Sequence, residues 1–107
     1  MKRFMMRNAE GLYLNTDYHT SLRKGTWRSR EDARLYKSVT GIMSAFNAAT
    51  PAIKNHLGIS WSMPAGRWTD EDRKASDALW KGMAKLSREK KLALWAEDGY
   101  IIEEIEL

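Results

Sequence analysis

Residues 3–15 read RFMMRNAEGLYLN. The first five alternate between apolar and other side chains, with Phe4 and Met6 on one face and Met5 on the more polar face. This period of two is typical of a half-buried β-strand. NAEG is turn-like, and LYLN after it resumes the alternation. The stretch therefore predicts a β-hairpin near the start of the chain.

Two further strands are expected. A short third strand is predicted at Leu35 and Tyr36, before the pattern becomes helical. The last strand is predicted over 100–107, with Ile101, Ile105 and Leu107 on one face and with Glu104 and Glu106 on the other. The acidic residues suit an edge strand, because charge discourages unwanted strand pairing.

Helical periodicity occupies the middle of the chain. From Val39, apolar residues recur at spacings of three and four, and Pro51 suits the first position of a second short helix. Thr69 precedes three acidic residues, an arrangement that favours a helix N-terminus and predicts a helix over 70–85. Trp80 belongs to the apolar stripe of that helix and is expected in the core.

These patterns predict an α+β fold. The expected sheet is small and antiparallel, built from the hairpin, the short third strand and the C-terminal strand, with two or three helices packed on one face. A chain of 107 residues is close to the commonest domain size, so a single domain over 1–107 is expected.

Composition excludes several classes of function. The chain has no cysteine, so thiol catalysis, Cys-based zinc sites and disulfides are excluded, and a reducing, cytoplasmic location is expected. His19 and His56 lie in no metal-ligand spacing, and we predict neither metal nor cofactor. The spacing Ser-x-x-Lys occurs twice in the chain without its companion motifs, which favours chance over enzymatic activity. No signal peptide or membrane span is predicted.

An aromatic and basic set is the better candidate for function, because Trp and Arg are enriched at binding hot spots. Its members, predicted to bind a partner, are Trp27, Arg28, Arg30, Trp61, Arg67 and Trp68. Within the loop 59–68, we expect Trp61 to be the contact residue and Trp68 to anchor the loop. The alternative is that these tryptophans fill the core of a small domain.

Charge suggests a second kind of partner. The basic residues concentrate in the first half of the chain, whereas residues 97–106 hold five acidic residues and no basic one, and the net charge is +4. The alternative to protein binding is nucleic-acid binding through the basic segment 23–37. Its candidate residues are Arg23, Lys24, Arg28, Arg30, Arg34 and Lys37.

The ends of the chain resemble a loose class of small phage-encoded proteins. The resemblance is carried by the hairpin at 4–14, by the segment 27–37, which reads WRSREDARLYK, and by the final acidic strand. It covers about half of the chain, so that residues 47–98 correspond to a helical insertion. The resemblance implies an anti-defence protein, similar to anti-CRISPR proteins, that inhibits a protein or ribonucleoprotein complex in the cytoplasm of a bacterial host. It does not predict an oligomeric state.

Overall fold

The computed structural model describes residues 1–16 and 26–107, which divide into two compact units. The sheet unit comprises Met1–Ala48 and Gly99–Leu107, and the helical unit comprises Ala49–Asp98. The α+β class is confirmed, because the described residues contain an antiparallel sheet and four α-helices. The helical unit covers nearly the same residues as the predicted insertion at 47–98, and a single domain over 1–107 stays a prediction.

The sheet has four antiparallel strands in the order β3-β2-β1-β4. Their bounds are Lys2–Arg7 for β1, Tyr13–Leu14 for β2, Trp27–Arg28 for β3 and Ile101–Glu106 for β4. The first and last segments of the chain are therefore neighbours, and β4 lies at an edge as predicted.

The turn between β1 and β2 is formed as the sequence predicts. The Asn8 side-chain oxygen accepts hydrogen bonds from the backbone N–H groups of Glu10 and Leu12, both at 3.0 Å. Gly11 has a φ of 80°, a conformation that glycine adopts without steric cost. The predicted hairpin is confirmed.

The prediction of a third strand at Leu35 and Tyr36 is wrong. The strand that extends the sheet is β3, which pairs with β2, whereas Tyr36 makes an isolated bridge to Phe4. The reason is the shortness of β2, which covers β1 only at the Arg7 end. Farther along the same edge of β1, the Tyr36 backbone donates to Phe4 at 2.8 Å and accepts from it at 2.9 Å.

The interior of the sheet unit is centred on β1. Met5 and Met6 are 3% and 0% exposed, so the expectation of a more polar face at Met5 is wrong. Both faces of β1 are therefore buried at this point, which a local alternation of side chains does not reveal. Helix α1, Val39–Ala45, packs against β1, and its apolar stripe supplies the buried Ile42.

Three helices form the helical unit: α2 at Pro51–Leu57, α3 at Asp70–Lys85 and α4 at Arg88–Glu97. Pro51 stands in the first turn of α2, as predicted. Thr69 caps α3, and Ser87 caps α4 by accepting the backbone N–H of Lys90 at 3.1 Å. The predicted bounds of α3 are confirmed, because the signals that set them are local in sequence.

The apolar stripe of α3 is narrower than predicted. Leu79 and Met83 are each 2% exposed, but Trp80 is 43% exposed, so its expected place in the core is wrong. Successive residues of a helix are about 100° apart, which puts Trp80 at the margin of the face that Leu79 and Met83 bury. Trp95 of α4, by contrast, is 1% exposed and lies in the core.

Candidate partner-binding surfaces

The tryptophan loop, residues 59–68, connects α2 to α3 and contains no regular secondary structure. Trp61 and Trp68 are both half-buried, and their rings pack together with centroids 5.4 Å apart at an interplanar angle of 58°. This tilted arrangement is one that aromatic pairs favour. The two tryptophans therefore stabilise the ends of the loop against each other.

Trp61 is also tied to the start of α3. Its indole Nε1–H donates to Oδ1 of Asp72 at 2.9 Å. The other carboxylate oxygen of Asp72 accepts from the backbone N–H of Thr69 at 2.8 Å and from its hydroxyl at 2.9 Å. The Thr69 hydroxyl in turn accepts the backbone N–H of Asp72, which completes a capping box.

These bonds lower the pKa of the Asp72 carboxyl below its ordinary value. The Thr69 backbone N–H makes the largest contribution, followed by the Trp61 indole and the Thr69 hydroxyl. Each donor favours the charged carboxylate, because a protonated carboxyl accepts such bonds less strongly. Asp72 thus both starts α3 and fixes the position of Trp61.

The middle of the loop presents apolar and basic groups to solvent. Met63 is 70% exposed, and Arg67 is exposed as well. Both residue types are enriched at protein interfaces. The structure thus brings Trp61, Arg67 and Trp68 into one loop of the helical unit, and it adds Met63, which sequence reasoning had not selected.

Trp27 has a different environment in the sheet unit. It is half-buried and packs on Phe46 and Tyr100, with ring centroids 5.9 and 5.6 Å away. Phe46 and Tyr100 are themselves 4.6 Å apart. Trp27 therefore belongs to an aromatic cluster that joins β3 to the residues before β4, apart from the tryptophan loop in sequence and in unit.

The basic residues of segment 23–37 lie in different environments. The Arg30 guanidinium donates to the Tyr13 hydroxyl at 2.9 Å and pairs with the Glu103 carboxylate at 3.3 Å. Arg34 lies over the Tyr36 ring, 5.5 Å from its centroid, while Lys37 is exposed. The other candidates are Arg28, exposed in β3, and Arg23 and Lys24, which lie outside the described residues.

The acidic residues at the end of the chain form ion pairs with basic groups at its beginning. Across the β1–β4 ladder, the Lys2 amine lies 3.3 Å from Glu104, and Arg7 Nε lies 3.6 Å from Glu103. The N-terminal amine lies 2.7 Å from Glu106. The charge polarity of the sequence is therefore largely cancelled inside the sheet unit, which sequence order alone does not show.

Sequence reasoning also missed a concavity in the sheet unit. It has a volume of about 300 Å³ and lies between residues 34–38 and α1. Leu35, whose predicted strand is absent, is 42% exposed at its margin. No sequence signal marks this site, since it depends on the bridge between Tyr36 and Phe4.

Comparison of the chain with protein-family models, curated proteins and solved structures gave no match. Within 1–16 and 26–107, no three metal-ligating side chains come together in a group that could hold an ion. None of the helices in the described ranges combines the length and apolar character that crossing a bilayer requires.

Proposed function

We propose that this protein is a non-enzymatic inhibitor of phage type that binds a bacterial protein or ribonucleoprotein complex through the tryptophan loop. The observation that carries the binding assignment is the hydrogen bond from Trp61 to Asp72. It holds an irregular loop against α3 while Met63 remains 70% exposed.

Rigidity of the loop favours binding on energetic grounds. Ordering a mobile loop at an interface costs about 0.5–1.5 kcal/mol for each immobilised side chain. A loop already anchored by Trp61, Trp68 and the α3 cap avoids much of that cost. Met63 and Arg67 then supply adaptable apolar contact and a planar cation, which suit a protein surface.

The inhibitory and phage aspects of the proposal rest on the resemblance of the hairpin, of residues 27–37 and of the acidic strand to small phage proteins. The absence of enzymatic activity rests on the lack of a catalytic motif in the sequence. The Ser87 hydroxyl, one half of a Ser-x-x-Lys spacing, is used as a helix cap, which gives that serine a structural role.

The proposal is tested with the full chain as bait in a bacterial lysate, followed by affinity measurements on the purified partner. Met63→Ala and Arg67→Glu should each weaken binding about tenfold or more, which corresponds to about 1.4 kcal/mol. Arg88→Glu is the matched control, because Arg88 is an exposed cation in the same unit, outside the loop. An acidic residue there, at the start of α4, suits the helix dipole.

Trp61→Phe separates anchoring from contact, since it keeps a ring beside Trp68 but removes the donor to Asp72. We expect weaker binding with little change in overall helix content. The proposal is wrong if no stoichiometric partner is recovered, if the two loop variants bind as well as Arg88→Glu, or if the protein turns over a small molecule.

A further inference from the structure

Strand β4 forms one edge of the sheet and is paired with β1 along its whole length. Within the described ranges 1–16 and 26–107, no strand pairs with its other side. All six residues of β4 are half-buried or exposed, in contrast to the buried Met5 and Met6 of β1. A strand of this length offers about 20 Å of backbone for pairing with another strand.

The register shows which backbone groups of β4 point away from β1. The Leu107 N–H donates to the Met1 carbonyl at 2.8 Å, so these two residues form a hydrogen-bonded pair. Bonded and non-bonded pairs alternate in an antiparallel ladder, which makes Phe4 and Glu104 a non-bonded pair. The Phe4 backbone accordingly bonds to Tyr36, on the other side of β1. The backbone N–H and C=O of Glu104 therefore point outward.

The same alternation turns the backbone groups of Ile102 and Glu106 outward, whereas those of Glu103 and Ile105 face β1. The side chains of the three outward residues share one face of the sheet, because successive residues of a strand point to opposite faces. On that face, the side chains of Glu104 and Glu106 are 52% and 68% exposed. The outer edge thus combines outward backbone groups with exposed negative charge.

Charge restricts what can pair with this edge. Antiparallel pairing with a second β4, centred on Glu104 or Ile105, brings glutamates directly opposite glutamates, which destabilises a strand pair. An acidic segment is repelled for the same reason. The cations that neutralise β4 from its inner side, Lys2 and Arg7, belong to β1, so an incoming strand meets the carboxylates first. The edge therefore favours a basic strand.

We propose that the outer edge of β4 binds an extended basic segment of a partner protein, which joins the sheet as an antiparallel fifth strand. Main-chain hydrogen bonds to Ile102, Glu104 and Glu106 supply the pairing, and lysine or arginine side chains lie opposite the two glutamates. The residue between these cations lies opposite Ile105, on the other face, where a β-branched apolar side chain fits. The recognised pattern is basic-apolar-basic. The edge belongs to the sheet unit, and this proposal does not depend on the tryptophan loop.

Fluorescence anisotropy of the full chain with a labelled peptide of alternating lysine and valine tests the proposal. A control peptide carries the same residues in two separate blocks, with equal charge and no alternation, and should bind about tenfold more weakly or worse. Hydrogen exchange provides a direct measurement. The bound peptide should slow exchange of the outward N–H groups of Ile102, Glu104 and Glu106, whereas those of Glu103 and Ile105 are already protected by β1.

Substitutions at Glu104 separate backbone pairing from charge. Glu104→Pro removes both the outward N–H and the charge and should weaken binding about tenfold or more, while the bonds to β1 remain. Glu104→Gln removes only the charge, so it should weaken binding by about threefold, and only at low salt. Glu97→Gln makes the same change in net charge at an exposed position of α4 and should alter the affinity less than about twofold.

The proposal is overturned if the alternating peptide does not bind, if both peptides bind equally, or if the outward N–H groups exchange as fast with the peptide as without it. These comparisons use the native protein, so they are decisive even if Glu104→Pro fails to fold. A folded Glu104→Pro variant that binds as well as Glu104→Gln also overturns it. Sedimentation that shows a dimer of the free protein, converted to a monomer by Glu104→Pro, would assign the edge to a second copy of the chain and reject the basic partner.

Discussion

At the scale of single residues, Asp72 shows which part of a site a sequence can reveal. Thr69 and Asp72 are three residues apart, and their capping box follows from that spacing. The bond from Trp61 to the same carboxylate spans eleven residues of irregular chain, for which no periodic pattern exists. The helix start could therefore be predicted, whereas the anchoring of the loop required the structure.

The pKa of Asp72 leads to a prediction about acid stability. Its folded-state value is lowered, chiefly by the Thr69 backbone N–H, so the unfolded chain binds a proton at a higher pH than the folded protein does. The resulting stabilisation is complete above the ordinary pKa of about 3.9 and is lost as the pH falls through the folded-state value. Urea unfolding from pH 7 to pH 2 should show it.

The matched variant is Asp72→Asn, which cannot ionise. The difference in unfolding free energy between the native protein and this variant should shrink below about pH 4, and the NMR resonance of the Trp61 indole N–H should move over the same range. A difference that stays constant from pH 7 to pH 2 would contradict the assigned role of Asp72.

At the scale of elements, the sequence predicts a helix or strand correctly when the signals for it lie within its own segment. It does not predict an element whose position depends on pairing with another strand. The bounds of α3 follow from a cap at Thr69 and a sustained apolar period. Strand β3 is two residues long, and only its pairing with β2 distinguishes it from the segment around Tyr36. An element that short has no period of its own, so its position is set by the rest of the sheet.

Substitutions of Trp80 in α3 and Trp95 in α4 compare a partly exposed helical tryptophan with a buried one. Trp80→Lys should change the unfolding free energy by about 0.5 kcal/mol or less, because the side chain is already 43% exposed. Trp95→Leu removes ring atoms from a site that is 1% exposed and should cost about 2 kcal/mol or more. Denaturant unfolding of both variants measures the two changes in unfolding free energy. Equal losses of unfolding free energy would show that Trp80 contributes to the core as Trp95 does.

At the scale of the whole molecule, the basic beginning and acidic end of the chain meet in the sheet. The register pairs Lys2 with Glu106 and Arg7 with Ile101, which lays the acidic strand along the basic one. A net charge of +4 therefore does not imply one uniformly basic surface. Cations outside this ladder, among them Lys37, also contribute to any long-range attraction for an anion.

Glu103 has a central place in the pairing of the acidic strand β4 with the basic start of the chain. Its carboxylate lies 3.6 Å from Arg7 in β1 and 3.3 Å from Arg30 in the short 3₁₀ turn Arg30–Asp32, so one side chain joins three distant segments. It is 30% exposed, against 52% for Glu104, whose partner Lys2 is 67% exposed. Solvent screens the Glu104 pair more strongly.

Glu103→Gln should therefore lower the unfolding free energy by about 1 kcal/mol or more, because two guanidinium groups lose their shared counter-charge. Glu104→Gln, the matched control one residue away, should cost about 0.5 kcal/mol or less. Denaturant unfolding at low and at high salt measures both changes. Since the Glu103 contacts are less exposed, its effect should survive high salt better. Equal effects at low salt would show that β4 is held by its backbone ladder and apolar side chains, with no special contribution from Glu103.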